Sequence, residues 1–429
     1  MSRRNLLAGA SALSWLWATR PGEAVPPPVS DRLSIADTVD LHRLDQSQQQ
    51  AHLDVFRRLG FGILRTSVSQ RGFDPLRADI QHHERLDYVR MAVRSGYRLK
   101  LQVGGWSGVP DTFEREHPDA KIVNRRGESP PPGYLSPWYP GLRALLAAET
   151  QTAFNYLQVN NLLGAVATFI VDLGPAGEPI YPAGWVMRQR PEDGTFWFYD
   201  VHAQAAFGRD MQQKYGNDLR RANSEWTTRF ADWSQVQIPE PKTKPGPMWR
   251  DVLLWYRDAK RAIVRFQIET CAAMVARYYR GIAAPQMLVL LPGSHLPPGA
   301  IERAAEEGEG GYAIKLMTDT DWLIDQAHSH GCAAQYTGAE NETEIRYIEE
   351  YIRAHGYDLP LWAENAGGRP ALDPGHLADV VLRNGLFGLD YVNAGAVLQA
   401  DGVTPNAVMP QLAEACARLL QRLPTRPGR

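Results

Sequence analysis

Apolar residues along this chain fall into eight short runs, separated by stretches in which they recur at three and four residue intervals. The runs are Leu33 to Val39, Ile63 to Ser67, Leu99 to Gly104, Thr168 to Asp172, Met287 to Leu291, Ala333 to Tyr336, Pro360 to Ala363 and Gly388 to Val392. Their length and composition suit strands. Between them, Asp87 to Ser95, Leu142 to Leu157, Leu253 to Tyr279, Asp319 to His330 and Ile345 to His355 carry the spacing of helices with one buried face. Gly60, Gly96, Gly331 and Gly356 each precede a strand, where a left-handed residue stops a helix. Strands alternating with helices predict a parallel α/β fold, and eight of them predict a closed (β/α)8 TIM barrel rather than an open doubly wound sheet.

The connections are uneven. Those after the third and fourth strands are long, and such loops usually carry function or cover a site. The segment Trp185 to Pro247 is expected to form a wall or lid over one end of the barrel. The barrel domain itself is placed at residues 32–422. Ahead of it, residues 1–24 read as an export signal, because Ser2-Arg3-Arg4-Asn5-Leu6-Leu7 is a twin-arginine pattern followed by an apolar stretch to Ala18. Small residues end at Ala24, a candidate cleavage point, and residues 25–31 with Pro26-Pro27-Pro28 form a linker. The mature protein is therefore expected in the periplasm or outside the cell, with no stable membrane insertion.

Composition narrows the partners. The chain has 429 residues, and α/β barrels often exceed the roughly 100–200 residues of a typical domain as one unit. A net charge of -2 gives no electrostatic reason to expect nucleic acid. No GxGxxG or GxxxxGK[ST] follows a strand run, so nucleotide binding has no motif behind it. Cys271, Cys332 and Cys416 lie far apart without CxxC or Cys/His spacing, and His82-His83 lacks the i, i+4 spacing of a zinc helix and is expected in a solvated loop. No metal and no cofactor are expected. Seventeen Tyr and 12 Trp are the compositional signal, since flat aromatic faces stack on sugar rings as well as filling cores. Trp106, Trp138, Trp185, Trp197 and Trp362 stand beside expected loop ends.

Two glutamates carry the candidate chemistry. Glu178 lies in the Gly/Pro-rich turn Asp172 to Pro182 after the fourth strand, and Glu364 ends the seventh. Taken alone, either could be an ordinary exposed acid. In a closed barrel, however, strands four and seven face each other across the C-terminal mouth, where barrel active sites are built. Glycoside hydrolysis needs such a pair: one carboxylic acid protonates the departing oxygen, and a carboxylate opposite activates water or attacks the sugar.

The surrounding residues add a resemblance. Gly174-Pro175-Ala176-Gly177-Glu178, with Tyr181-Pro182 after it, resembles the acid motif of the beta-amylases, glycoside hydrolase family fourteen. Glu364-Asn365-Ala366 is similar to their general-base motif, and Gln335-Tyr336-Thr337-Gly338-Ala339-Glu340 to their inner loop. Pro292-Gly293-Ser294-His295 stands where that family has a Gly and a His after strand five, and Phe198-Tyr199-Asp200 also fits. The motifs keep their order over roughly residues 60–400. The resemblance implies Glu178 as general acid and Glu364 as general base of an inverting hydrolysis. It implies sugar or water contacts at Thr337 and His295, Asn365 orienting its neighbour, and Asp111 in the place of a flexible-loop aspartate. Trp106, Tyr181, Trp185 and Trp362 are added as sugar-binding candidates.

The departures bear on substrate. Leu64-Arg65-Thr66 stands where beta-amylases place a sugar-holding aspartate, and Val103-Gly104-Gly105 stands where they have a histidine. Their strand-five lysine falls at about Leu290, and an arginine after strand eight at about Asn393. A changed hydrogen-bonding shell changes which sugar is accepted without changing the reaction. The expected substrate is thus a polysaccharide or oligosaccharide, a glucan first, with starch as one candidate among several. Two other readings stay open: a retaining hydrolase or transglycosidase like the beta-galactosidase barrels, although Gly177 rather than Asn precedes the acid, and a non-catalytic carbohydrate-binding barrel.

Overall fold

The computed structural model describes residues 29–36, 44–68, 80–106, 111–130, 134–183, 195–239, 246–308, 310–365, 373–392, 398–399 and 401–423. Eight parallel strands close into one barrel in chain order: β1 (Ser30–Ala36), β2 (Phe61–Val68), β3 (Arg98–Val103), β4 (Val166–Val171), β5 (Gln286–Leu291), β6 (Ala333–Tyr336), β7 (Leu361–Glu364) and β8 (Gly388–Tyr391). β8 returns to β1 through Leu33 opposite Leu389 and Ile35 opposite Tyr391. Each expected strand overlaps an observed one, and the fold is the expected (β/α)8 barrel. The stretch expected as an export signal and most of the expected linker lie outside the described residues.

Thirteen α-helices are described. They are α1 (Gln46–Arg58), α2 (Ile80–Arg94), α3 (Asp111–Glu116), α4 (Leu142–Val159), α5 (Val201–Lys214), α6 (Leu219–Trp226), α7 (Pro247–Tyr278), α8 (Ala300–Glu307), α9 (Tyr312–Leu316), α10 (Thr320–Ser329), α11 (Glu342–Ala354), α12 (Pro374–Arg383) and α13 (Met409–Arg422). The four glycines expected to stop helices all adopt positive φ, between 64° and 92°. His82 and His83 lie in the first turn of α2 rather than in a loop. Glu342 and Glu344 open α11 as acids at a helix start should, and Asn341 caps that helix.

Strand alternation sorts the barrel into two environments. Outward residues such as Leu99, Leu101, Val103, Phe169, Val171, Val289 and Leu291 pack with the helices in the main core. Inside, Ile63, Ile170, Leu288, Leu290, Ala333 and Trp362 form a small apolar plug. Arg65, Lys100, Gln335, Glu364 and Asp390 are also buried, which is rare for charged side chains unless they are paired.

A second apolar cluster joins residues following β3, β4 and β5 with α5, α6 and the N-terminal half of α7. Trp106, Tyr181, Trp197, Phe198, Trp249 and Tyr256 are fully buried in it. The described part of the segment expected as a wall or lid contributes Trp197, Phe198, α5 and α6 to this aromatic flank.

Candidate active site

Glu178 follows β4 on a turn shaped by backbone torsions that few residues tolerate. Pro175–Gly177 make one 3-10 turn, in which Ala176 has φ 55° and Gly177 φ 88°. A side chain at Gly177 would meet Leu290 and Gln102 at 3.1 Å, so glycine is required by both torsion and space. The turn lifts Glu178 to a part-buried position where its Oε1 accepts a hydrogen bond from the Thr337 hydroxyl, at the end of β6. That hydroxyl also lies 3.1 Å from the Leu291 carbonyl oxygen. A hydroxyl has one proton and two lone pairs, so it can give its proton to Leu291 and accept one from a protonated Glu178.

Burial pushes the Glu178 carboxyl up to about 7; the Thr337 hydroxyl opposes this, and the negative charge of Glu364 adds to it. The two glutamates thus feel one another's charge. A carboxyl held near 7 can keep a proton to donate at neutral pH.

Glu364 ends β7 inside a buried charged cluster. Its Oε2 accepts from Arg65 Nη1 at 2.8 Å and from Gln335 Nε2. The same two donors reach Asp390 Oδ2, Arg65 at 3.0 Å and Gln335 at 2.9 Å. Lys100 Nζ lies 3.0 Å from Asp390 Oδ2, donates to Gln335 Oε1 and sits 4.2 Å over the Trp362 ring. Two cations and two carboxylates thus balance in formal charge, with Gln335 joining them from β6.

The two carboxylates differ in setting. Burial alone would raise Asp390, but Lys100 and Arg65 outweigh it and hold the group at about 2. Burial raises Glu364 above the ordinary carboxylate range and Asp390 adds to the shift, while Arg65 and Gln335 pull it back. For Arg65, burial works against the charge and the two carboxylates more than offset it. Both donors to Glu364 favour its ionised form, since each offers N–H groups to one oxygen.

Asn365 follows directly. Its side chain donates to the Val392 carbonyl at 2.7 Å and accepts from the Val392 N–H at 2.7 Å, which ties the end of β7 to the residue after β8. It is fully buried and orients the strand end that carries Glu364.

Three expected sugar contacts are corrected. Trp106 is fully buried, donates its indole N–H to the Leu135 carbonyl at 2.8 Å and packs edge-on to Tyr181. Tyr181 stacks on Tyr256 at 3.9 Å and spends its hydroxyl on the Tyr256 carbonyl. Trp362 fills the barrel interior between Lys100 and Phe387. A ring whose faces are covered by protein cannot stack on a sugar. His295 lies after β5 with Nδ1 3.9 Å from Glu344 Oε2 and its ring edge-on to Tyr347, so the described contacts join it to α11. Asp111 opens α3, and its side chain lies outside what the structure describes, as does Trp185.

Arg65, Lys100 and Asp390 are the site residues that sequence reading missed. The signal was present, since each is a charged residue at an inward position of an otherwise apolar strand run. Among the described residues no group of three or more His, Cys, Asp or Glu could hold a metal ion, and no helix is long and apolar enough to cross a membrane. The three cysteines are free and buried.

No protein-family model matches the chain, and no curated protein matches it. Solved structures do. The catalytic domain of beta-amylase from Paenibacillus polymyxa superposes with a TM-score of 0.71 at 16% identity, over 92% of this chain and 100% of that one. A beta-galactosidase from Rahnella sp. R3 gives 0.63 at 12% identity over 93% of this chain and 57% of that one. A beta-galactosidase from Bacillus circulans sp. alkalophilus gives 0.61 at 12% identity, over 91% and 56%. The chain has the barrel fold of these proteins. It spans the whole of the amylase domain and somewhat over half of each galactosidase chain.

Proposed function

We propose that the protein is a glycoside hydrolase that cleaves an O-glycosidic bond of a polysaccharide or oligosaccharide, with Glu178 as general acid and Glu364 as general base. The observation that carries the reading is a pair of glutamates at the mouth ends of β4 and β7 in contrasting environments. Glu178 has a single hydroxyl partner, and Glu364 sits on one cationic and one amide donor. Environments that separate two carboxyls in this way assign acid and base. The likeness in fold to a beta-amylase domain and to beta-galactosidases supports the same chemical class.

In the proposed reaction a water molecule loses a proton to Glu364 as its oxygen attacks the anomeric carbon. The bond from that carbon to the leaving oxygen breaks, and Glu178 gives its proton to the leaving oxygen. Arg65 and Gln335 both occupy Oε2 of Glu364, which leaves its other oxygen to face the water. Thr337 holds the Glu178 carboxyl in one rotamer. A glucan is the first substrate class by the resemblance to beta-amylases, and the cluster of Arg65, Lys100 and Asp390, a shell unlike their sugar-holding residues, brings in other glycans. An exported protein of this kind would act on material outside the cytoplasm.

The test is a screen of the mature chain against alpha- and beta-linked glucans, galactans and bacterial exopolysaccharides. At least one class should release reducing sugar, and Glu178→Gln and Glu364→Gln should each cut that rate by about 10²–10⁴-fold while still folding. Full activity in either variant would sink the assignment. Oligosaccharide binding without cleavage would mark a binding barrel instead.

A further inference from the structure

Beyond Asp251, the buried stripe of the long helix α7 carries two polar side chains. Lys260 and Gln267 sit among Ile263, Val264, Ile268 and Cys271. Together with Tyr256, at offsets of four and seven residues, they line one helix face. All three meet the turn that carries Glu178.

Lys260 Nζ donates to the Leu173 carbonyl at 2.9 Å and the Ile180 carbonyl at 2.8 Å, and it lies 4.0 Å over the Trp106 ring. An ammonium has three N–H donors, and these two carbonyls and one ring face can use all of them. Gln267 Nε2 donates to the Asp172 carbonyl at 2.7 Å. The Tyr256 carbonyl accepts from Tyr181 at 3.1 Å. The chain is therefore held by one helix before Glu178 at residues 172 and 173, and after it at residues 180 and 181. Gly174, inside this bracket, leaves no room for a side chain: a Cβ there would stand 2.4 Å from the Glu178 carbonyl oxygen.

Burying a cation to satisfy two carbonyls is costly when neutral donors could do it. Burial lowers the Lys260 pKa well below its ordinary value, with Asp172 opposing.

We infer that Lys260, with Gln267 beside it, is a positioning residue that sets how deeply Glu178 sits at the barrel mouth. The inference rests on Glu178 as the proton donor, but its test does not need activity. In the full mature chain labelled with ¹³C at glutamate carboxyls, the Glu178 signal is assigned by its loss in Glu178→Gln and followed with pH. Lys260→Met keeps the bulk and removes the donors. Its Glu178 midpoint should fall by about one unit or more, toward the ordinary carboxylate range, as the turn moves toward water. Gln267→Met releases one carbonyl and should move the midpoint measurably in the same direction, and it decides the matter if Lys260→Met does not unfold cooperatively.

An unchanged midpoint in the folded variant overturns the inference, because a merely structural lysine would lower stability and leave Glu178 where it was. On the glycan that the wild type cleaves, kcat of Lys260→Met should drop by about tenfold or more with KM little changed, as expected for a misplaced acid. A wild type that cleaves no glycan refutes the glycosidase reading and leaves the titration to decide the role of Lys260.

Discussion

Arg65 is where the residue-scale chemistry is most exposed to test. It bridges Glu364 at 2.8 Å and Asp390 at 3.0 Å with one nitrogen. Arg65→Met keeps an unbranched side chain and removes the cation, leaving two buried carboxylates beside Lys100. Breaking a buried pair from one side costs about 3–5 kcal/mol, so urea unfolding should show a loss of that order, and activity should fall with it. Wild-type stability in the variant would mean that Lys100 alone balances the site. Glu178 supplies a second prediction. Its raised folded pKa of about 7 means the acid is protonated below that pH and ionised above it. The rate should decline as pH rises through about 7, read as the basic limb of kcat/KM, while protonation of the base Glu364 sets the acid limb. A limb lying well above pH 8 would assign it to another group. The positions of Glu178 and Glu364 after or at the end of a strand were legible in the sequence from the apolar runs before them, whereas Thr337 entered only through the resemblance to the beta-amylase inner loop. The charged cluster was not legible, because Arg65, Lys100 and Asp390 interrupt apolar strands singly and their meeting depends on barrel closure. The aromatic residues misled for a related reason: standing beside a loop end does not say which way a ring turns, and Trp106 and Tyr181 turn into the flank.

At the scale of elements, α4 contributes a group the proposed mechanism does not use. Glu149 is buried on its inner face, and burial, then the charge of Asp172, push its carboxyl up to about 8. The folded pKa lies above the unfolded one, so its stabilising contribution is complete below about pH 4.5 and is lost as pH rises through about 8, at up to ~1.4 kcal/mol per unit. Glu149→Gln keeps the shape and removes the titration. The stability of the wild type relative to the variant should therefore fall between about pH 5 and pH 8, measured by urea unfolding, and a flat difference would show that Glu149 is not desolvated as described. Glu178 acts in the same direction up to about pH 7, but it is present in both proteins and cancels. Elements themselves were read well where period and punctuation agreed. The five expected helices overlap α2, α4, α7, α10 and α11, whereas α6, α8 and α9 have eight residues or fewer, too few turns for the 3.6 period to stand out in the sequence.

For the whole molecule, barrel closure determines what the two glutamates can do together. β4 and β7 stand three places apart in the ring of eight, so their carboxyls reach the mouth from different sides and a sugar seated there can meet both. If Glu364 activates water, the first product carries the anomeric configuration opposite to that of the bond cleaved. If it attacks the sugar directly, two displacements restore the original configuration. Arg65 and Gln335 share one Glu364 oxygen and favour its ionised form, which a base and a nucleophile both need, and the role proposed for Glu364 is the base. The inverted anomer is therefore expected to lead in proton NMR spectra taken before mutarotation. In a crystal structure the carboxyl separation should then be about 6.5–9.5 Å, wide enough to seat a water, and not the 5–5.5 Å or so of retaining enzymes. A retained first anomer would reassign Glu364 as the nucleophile and move the chain's chemistry toward that of the beta-galactosidase-like barrels, leaving Glu178 as the acid in either case.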